Sequence, residues 1–171
     1  MCNATSEAIS GWERRLRELL PVYGHRNWIV VADAGYPAQS KPGIETIVAG
    51  ADQIDAVRAV LQAIAACNHI RANVYTNSEL CFVDDNDAPG VSACREQLDA
   101  LLAHASRKQQ LHEEIIAKLD QTAQIFCILI VKTTLTIPYT SVFFELDCGY
   151  WNAEAEDRLR HAIEVSEGKV K

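Results

Sequence analysis

Long apolar runs, cysteine pairs and an excess of positive charge are all missing from this sequence. The longest apolar stretch, Ile125 to Val131, falls far short of the roughly 20 residues a membrane-spanning helix needs. Six cysteines occur, Cys2, Cys67, Cys81, Cys94, Cys127 and Cys148, without a C-x-x-C pair or a Cys/His cluster at zinc-ligand spacing. They read as ordinary reduced thiols, several of them inside apolar patterns where cysteine acts as a small hydrophobe. The formal charge of −7 argues against nonspecific nucleic-acid binding, which needs clustered Lys and Arg to neutralise phosphates. It equally argues against anchoring to an anionic membrane surface. No phosphate-binding glycine loop, serine elbow, internal repeat or low-complexity tract is present. The N-terminus has a charged, helix-like pattern rather than a secretory leader. Taken together, these absences predict a soluble, cytoplasmic protein with no cofactor and no metal.

What remains is an alternation of short apolar strands and amphipathic helices over 171 residues, enough for one domain with a substantial core. Thr5 to Leu20 has Ile9, Trp12, Leu16 and Leu19 or Leu20 on one side, so it predicts an N-terminal helix within residues 1–20. Trp28–Ala32 reads as a buried strand and Ile44–Ala49 as a second. Asp52 is placed to cap a helix running to about Cys67. Arg71–Thr76 predicts a third strand and Ser78–Val83 a further short extended piece. Asp84 to Gly90 is a polar loop whose carboxylates lack the alternating spacing of a calcium site. Val91 to Ser106 and Leu111 to Leu119 read as helices. Ile125–Val131 predicts a strand covered on both faces, with Val142–Leu146 as its β partner. Asn152 to Glu167 reads as a charged helix within a C-terminal extension, 152–171, packed on the surface or on a neighbouring subunit. The expected architecture is a single α/β domain over 1–171, a central β-sheet flanked by helices in three layers.

The chemistry concentrates around the first strand. In Gly24-His25-Arg26-Asn27-Trp28-Ile29-Val30-Val31-Ala32-Asp33-Ala34-Gly35-Tyr36-Pro37 a histidine precedes the apolar run and an aspartate follows it. Gly35 and Pro37 turn the chain out of the strand just after the carboxylate. A proton-transfer group and a hydrogen-bonding carboxylate beside a rigid strand suit a small-molecule site. Taken alone, His25 could equally be a solvated loop histidine, and Asp33 a turn cap.

The pattern G-H-x(7)-D-A-G followed by an aromatic or apolar residue and proline resembles the ribose pyranase and fucose mutarotase family (RbsD/FucU). A second segment, Lys132 to Phe144, resembles that family's C-terminal strand–turn–strand with its Tyr-x-Asn motif. The likeness spans most of Val22 to Gly149. It implies an RbsD-like fold and an isomerase that interconverts anomers, or pyranose and furanose forms, of a free monosaccharide. Ring opening needs one group to take the anomeric hydroxyl proton and another to protonate the ring oxygen. Histidine suits both roles, since its unperturbed pKa of about 6.5 lies near neutrality. The resemblance implies His25 as the general acid/base and Asp33, His112, Tyr139 and Ser141 as substrate-binding residues. Asp33 would orient a sugar hydroxyl or set the histidine tautomer. Glu79 matches an acidic family position only loosely. The resemblance further implies a ring-shaped homo-oligomer, a decamer of two five-membered rings, with Tyr139 supplied to the site by a neighbouring subunit.

Two departures bear on the activity. The family asparagine two residues after the tyrosine is Ser141 here, and the turn before it reads Thr134-Leu135 where the family has Gly-Glu. Serine lacks the paired donor and acceptor of an amide. A non-catalytic sugar-binding or sensing protein on the same fold is therefore the competing expectation, and a purely structural ring subunit is a third.

Overall fold

A computed structural model describes residues 10–167. The beginning of the expected N-terminal helix, with Ile9, lies outside the described residues, as does Cys2. Ser10 opens α1 (Gly11–Leu19), its hydroxyl accepting from the Glu13 amide at 3.4 Å while donating to the Glu13 carboxylate at 3.0 Å. The first of these bonds satisfies one of the amides that the helix start leaves open. Trp12 and Leu16 are the buried side of α1. Asp52 caps α2 (Gln53–Ala65) through a 2.8 Å bond from the Ile54 amide.

Six strands form one sheet: β1 (Trp28–Ala32), β2 (Ile44–Val48), β3 (Ile70–Asn77), β4 (Ser106–Gln110), β5 (Ile128–Lys132) and β6 (Val142–Cys148). Their spatial order is β2-β5-β1-β6-β3-β4. β2, β5 and β1 are mutually parallel, β3 and β4 are parallel, and β6 lies antiparallel between β1 and β3. All strands except β6 therefore point the same way.

Alternate side chains enter opposite faces, as the two-residue strand period requires. Ile29, Val31, Leu129, Val131, Val142 and Phe144 meet α1, α2 and α3 (Val91–Leu101) on one side. Trp28, Val30, Ile128, Ile130 and Phe143 meet Ile115 and Leu119 of α4 (His112–Thr122) on the other. Helix layers on both faces explain why β1 is buried along its whole length. The last helix, α5 (Ala153–Ser166), has no buried residue.

Three expectations need correction. The helix expected over Val91–Ser106 stops at Leu101, and Ser106–Gln110 is the strand β4. The sequence Ser-Arg-Lys-Gln-Gln lacks the apolar alternation that announces a strand, because β4 is an edge with little to bury. β6 pairs with β1 and β3, whereas β5 sits between β1 and β2. Ser78–Phe82 winds into a short 3-10 turn rather than an extended piece. No helix among the described residues is long and apolar enough to cross a membrane.

Candidate functional site

Strand direction decides which side chains can meet. The carboxyl ends of β1, β3, β4 and β5 and the amino end of β6 converge on one edge of the sheet. Asp33 leaves β1 there, Asn77 ends β3, and Ser141 precedes β6. At this edge the Ser141 hydroxyl donates to Asp33 Oδ2 at 2.8 Å, and the Gly35 amide donates to Asp33 Oδ1 at 2.9 Å. Asn77, only 1% exposed, donates from its amide nitrogen to the Tyr139 carbonyl at 3.0 Å. Its amide oxygen then faces His112 Nδ1 at 3.2 Å. That oxygen can only accept, so Nδ1 carries the proton and a neutral His112 ring keeps Nε2 as an acceptor. The His112 and Tyr139 rings meet edge to face, with centroids 5.8 Å apart.

Helix α4 starts at this cluster. The Glu79 carboxylate accepts from the His112 amide at 2.9 and 3.1 Å, so it completes a helix start that Leu111 cannot cap with its own side chain. Tyr139 holds a left-handed backbone, φ 60°, an uncommon conformation for a bulky residue. Behind it lies Gln53, completely buried. Its amide nitrogen reaches the carbonyls of Val31 at 3.2 Å and Thr140 at 2.9 Å, and its oxygen accepts from the Thr133 hydroxyl at 2.7 Å. One amide thus ties the end of β1 to the segment that presents Tyr139 and Ser141.

His25 lies at the opposite end of β1. Its Nδ1 stands 2.9 Å from Asp147 Oδ1, and its Nε2 receives the Arg26 Nε–H at 3.3 Å. Asp147 Oδ2 takes two bonds from Arg71, at 3.0 and 2.6 Å. The Asp147 carboxylate can only accept, so His25 is protonated on Nδ1. Burial pushes the Asp147 carboxyl up, but bonds from Arg71, the Cys148 amide and His25 outweigh it and hold the group below the usual carboxylate range. These residues open onto a cleft of about 630 Å³, shared with Trp151, Glu156 and Arg160.

The expected pairing of His25 with Asp33 is therefore not made within one chain, and the partner that sets the His25 tautomer is Asp147. Asp33, Ser141, Tyr139 and His112 do come together, as one cluster at the other edge. Ser141 is buried, and its hydroxyl is directed to Asp33, so it orients that carboxylate rather than facing a ligand. Tyr139 remains 38% exposed. Sequence reasoning missed Asn77, Gln53, Arg71 and Asp147. The last two are cross-strand partners in the β3–β6 register, a relation that hydropathy does not reveal.

Because Asp147 is held below its ordinary carboxylate pKa, its stabilising contribution is present above the unfolded-state pKa. It is lost as pH falls through the folded-state value. Asp147→Asn should accordingly cost about 1–2 kcal/mol near neutrality through lost charge-assisted bonds. Urea titrations of the two proteins should converge as pH falls through the folded-state value, below which both lack the charge; a gap unchanged at low pH would contradict this account.

The model of the RbsD / FucU transport protein family matches residues 12–148. Among solved structures, Bacillus subtilis RbsD complexed with D-ribose is similar at TM-score 0.57 and 17% identity, over 82% of this chain and 94% of that one. The Streptococcus pneumoniae fucose mutarotase in complex with L-fucose is similar at TM-score 0.53 and 17% identity, over 85% and 98%. FucU from Bifidobacterium longum gives 0.51 and 13%, over 78% and 94%. No curated protein matches this sequence. At these identities the structural likeness speaks for the fold, and the sheet-and-helix layers described above are those of the relatives. With the family model covering most of the described residues, the chain belongs to the RbsD / FucU transport protein family.

Proposed function

We propose that the protein is a monosaccharide isomerase whose site is completed between two copies of the chain. One copy contributes His25 as the acid/base, and the next contributes Asp33, Tyr139 and His112 around the sugar. The observation that carries this reading is the separation of the two groups to opposite ends of β1. A surface at one end that meets a different surface at the other end is a head-to-tail contact, and such contacts close into rings when the rotation permits. The ring oligomer and decamer expected from the resemblance belong to this proposal.

In the reaction the imidazole removes the anomeric hydroxyl proton, the ring C–O bond opens, and the ring oxygen receives a proton. Rotation or attack by a different hydroxyl, followed by reversal of the transfers, yields the other anomer or ring size. Asp33, already oriented by Ser141 and Gly35, can accept from a sugar hydroxyl. The Tyr139 ring offers an apolar face for the sugar to lie against. Proton transfers of this kind need no group beyond side chains.

NMR exchange measurements on ribose, fucose, galactose and glucose anomers test the proposal. Acceleration by the wild type that disappears in His25→Ala is expected.

A second reading has its own support. The hydroxyl of Ser141, at the position of the family asparagine, is bonded to Asp33 rather than directed outward. That leaves one fewer group for a sugar and favours a binding or sensing protein without turnover. Saturable sugar binding with unchanged exchange would establish that reading, and neither effect would leave only a structural ring subunit.

A further inference from the structure

We propose that the cleft beside His25 binds a monosaccharide carrying an anionic group, a carboxylate or a phosphate. The proposal rests on the isomerase reading, because it names the class of sugar that His25 would meet. The cleft's inner wall is formed by His25, Arg26, Arg71 and Asp147, which lie within the residues matched by the family model. Its outer wall is formed by Trp151, Glu156 and Arg160, which lie beyond residue 148, where the match ends. This chain has therefore built half of the cleft from residues outside the shared fold.

Charge on the walls identifies the ligand. Three guanidinium groups, Arg26, Arg71 and Arg160, face two carboxylates, Asp147 and Glu156. Arg71 is taken by Asp147 and Arg160 by Glu156. Arg26 makes no ion pair among the described residues. It gives Nε to His25 and lies over the Phe126 ring. Its backbone is left-handed, φ 74°, which side chains other than glycine rarely adopt. In a chain of net charge −7, an arginine without a carboxylate at the wall of a cleft is the donor set for an incoming anion. The planar fork of a guanidinium fits two oxygens of a carboxylate or phosphate together.

The aromatic residue identifies the rest of the ligand. Trp151 is held by a 2.8 Å bond from its indole nitrogen to Glu156, yet stays 42% exposed. A fixed, exposed indole gives a sugar ring an apolar surface to stack on. A bare inorganic anion would make no use of it. The volume of about 630 Å³ lies in the range of small-ligand sites.

Trp151 also reports binding, because the other two tryptophans, Trp12 and Trp28, are buried. The full chain is titrated with D-glucuronate, D-glucose 6-phosphate, D-glucose and inorganic phosphate while tryptophan emission is followed. At least one acidic sugar should bind about tenfold or more tightly than glucose, as expected for charge-assisted bonds. The emission change should vanish in Trp151→Phe, and affinity should fall about tenfold in Arg26→Gln, whose fold is checked by circular dichroism. Preference between the two acids tells carboxylate from phosphate. Equal affinity for glucose, phosphate alone as tight as glucose 6-phosphate, no binding of either acid, or an undiminished Arg26→Gln would each overturn the proposal. Binding is read without turnover. Acid-sugar binding with no anomer exchange would remove the isomerase reading and leave this one standing.

Discussion

Mixing His25→Ala chains with Asp33→Asn chains is expected to restore about a quarter of wild-type exchange activity, although each variant alone is inactive. The expectation follows from the head-to-tail contact. Where an Asp33→Asn copy supplies His25 to a His25→Ala copy that retains Asp33, an intact site forms. Random assembly of equal amounts makes about one such junction in four. The variants would be denatured together and refolded, or co-expressed, and exchange followed by NMR. A mixture as inactive as its components would mean that His25 and Asp33 do not serve a shared site between copies. Light scattering supplies a second check, because a monomer offers no such junction.

Replacing Gln53 by leucine should produce the largest loss of stability in the molecule outside the apolar core. The substitution nearly preserves volume but leaves the Val31 and Thr140 carbonyls and the Thr133 hydroxyl without the amide that joins them. Each buried polar group stripped of its partner costs about 1–3 kcal/mol. A total near 3 kcal/mol is expected, allowing for bonds these groups keep elsewhere. Urea denaturation would read it as a lower midpoint with an unchanged slope. A loss below about 0.5 kcal/mol would place Gln53 among ordinary surface positions. Because the same amide secures the turn carrying Tyr139 and Ser141, the surviving folded fraction should also bind sugar less tightly.

The readable parts of this chain are those whose burial is written into a period. β1 and β5 are continuous apolar runs because helices cover both faces, and α2 shows its inward face every three to four residues. β4 carries no such period, because an edge strand of Arg, Lys and Gln buries almost nothing. The pairing of β6 with β1 and β3 is not visible along the chain, because its register is decided by long-range contacts.

Candidate residues can be named from the sequence, but their arrangement cannot. His25 and Asp33 stand in family register, yet the extended strand Trp28–Ala32 lies between them and, at about 3.3 Å a residue, holds its two ends roughly 15 Å apart. A straight strand keeps its ends apart, so the distance was implicit in the very feature that made both residues noticeable. Asn77 and Asp147 matter through their neighbours across the sheet. No pattern along the chain marks them.

The two outermost strands have a consequence for how copies can meet. β4 presents Arg107 and Lys108, and β2 carries Glu45 in a forked bond with Arg15. Charges on a lateral margin discourage a second sheet from zipping alongside. Growth by strand addition, the usual route to fibres, is thereby blocked on both flanks. A head-to-tail contact between strand tips needs no free flank, and it ends growth where its rotation brings the last copy back to the first.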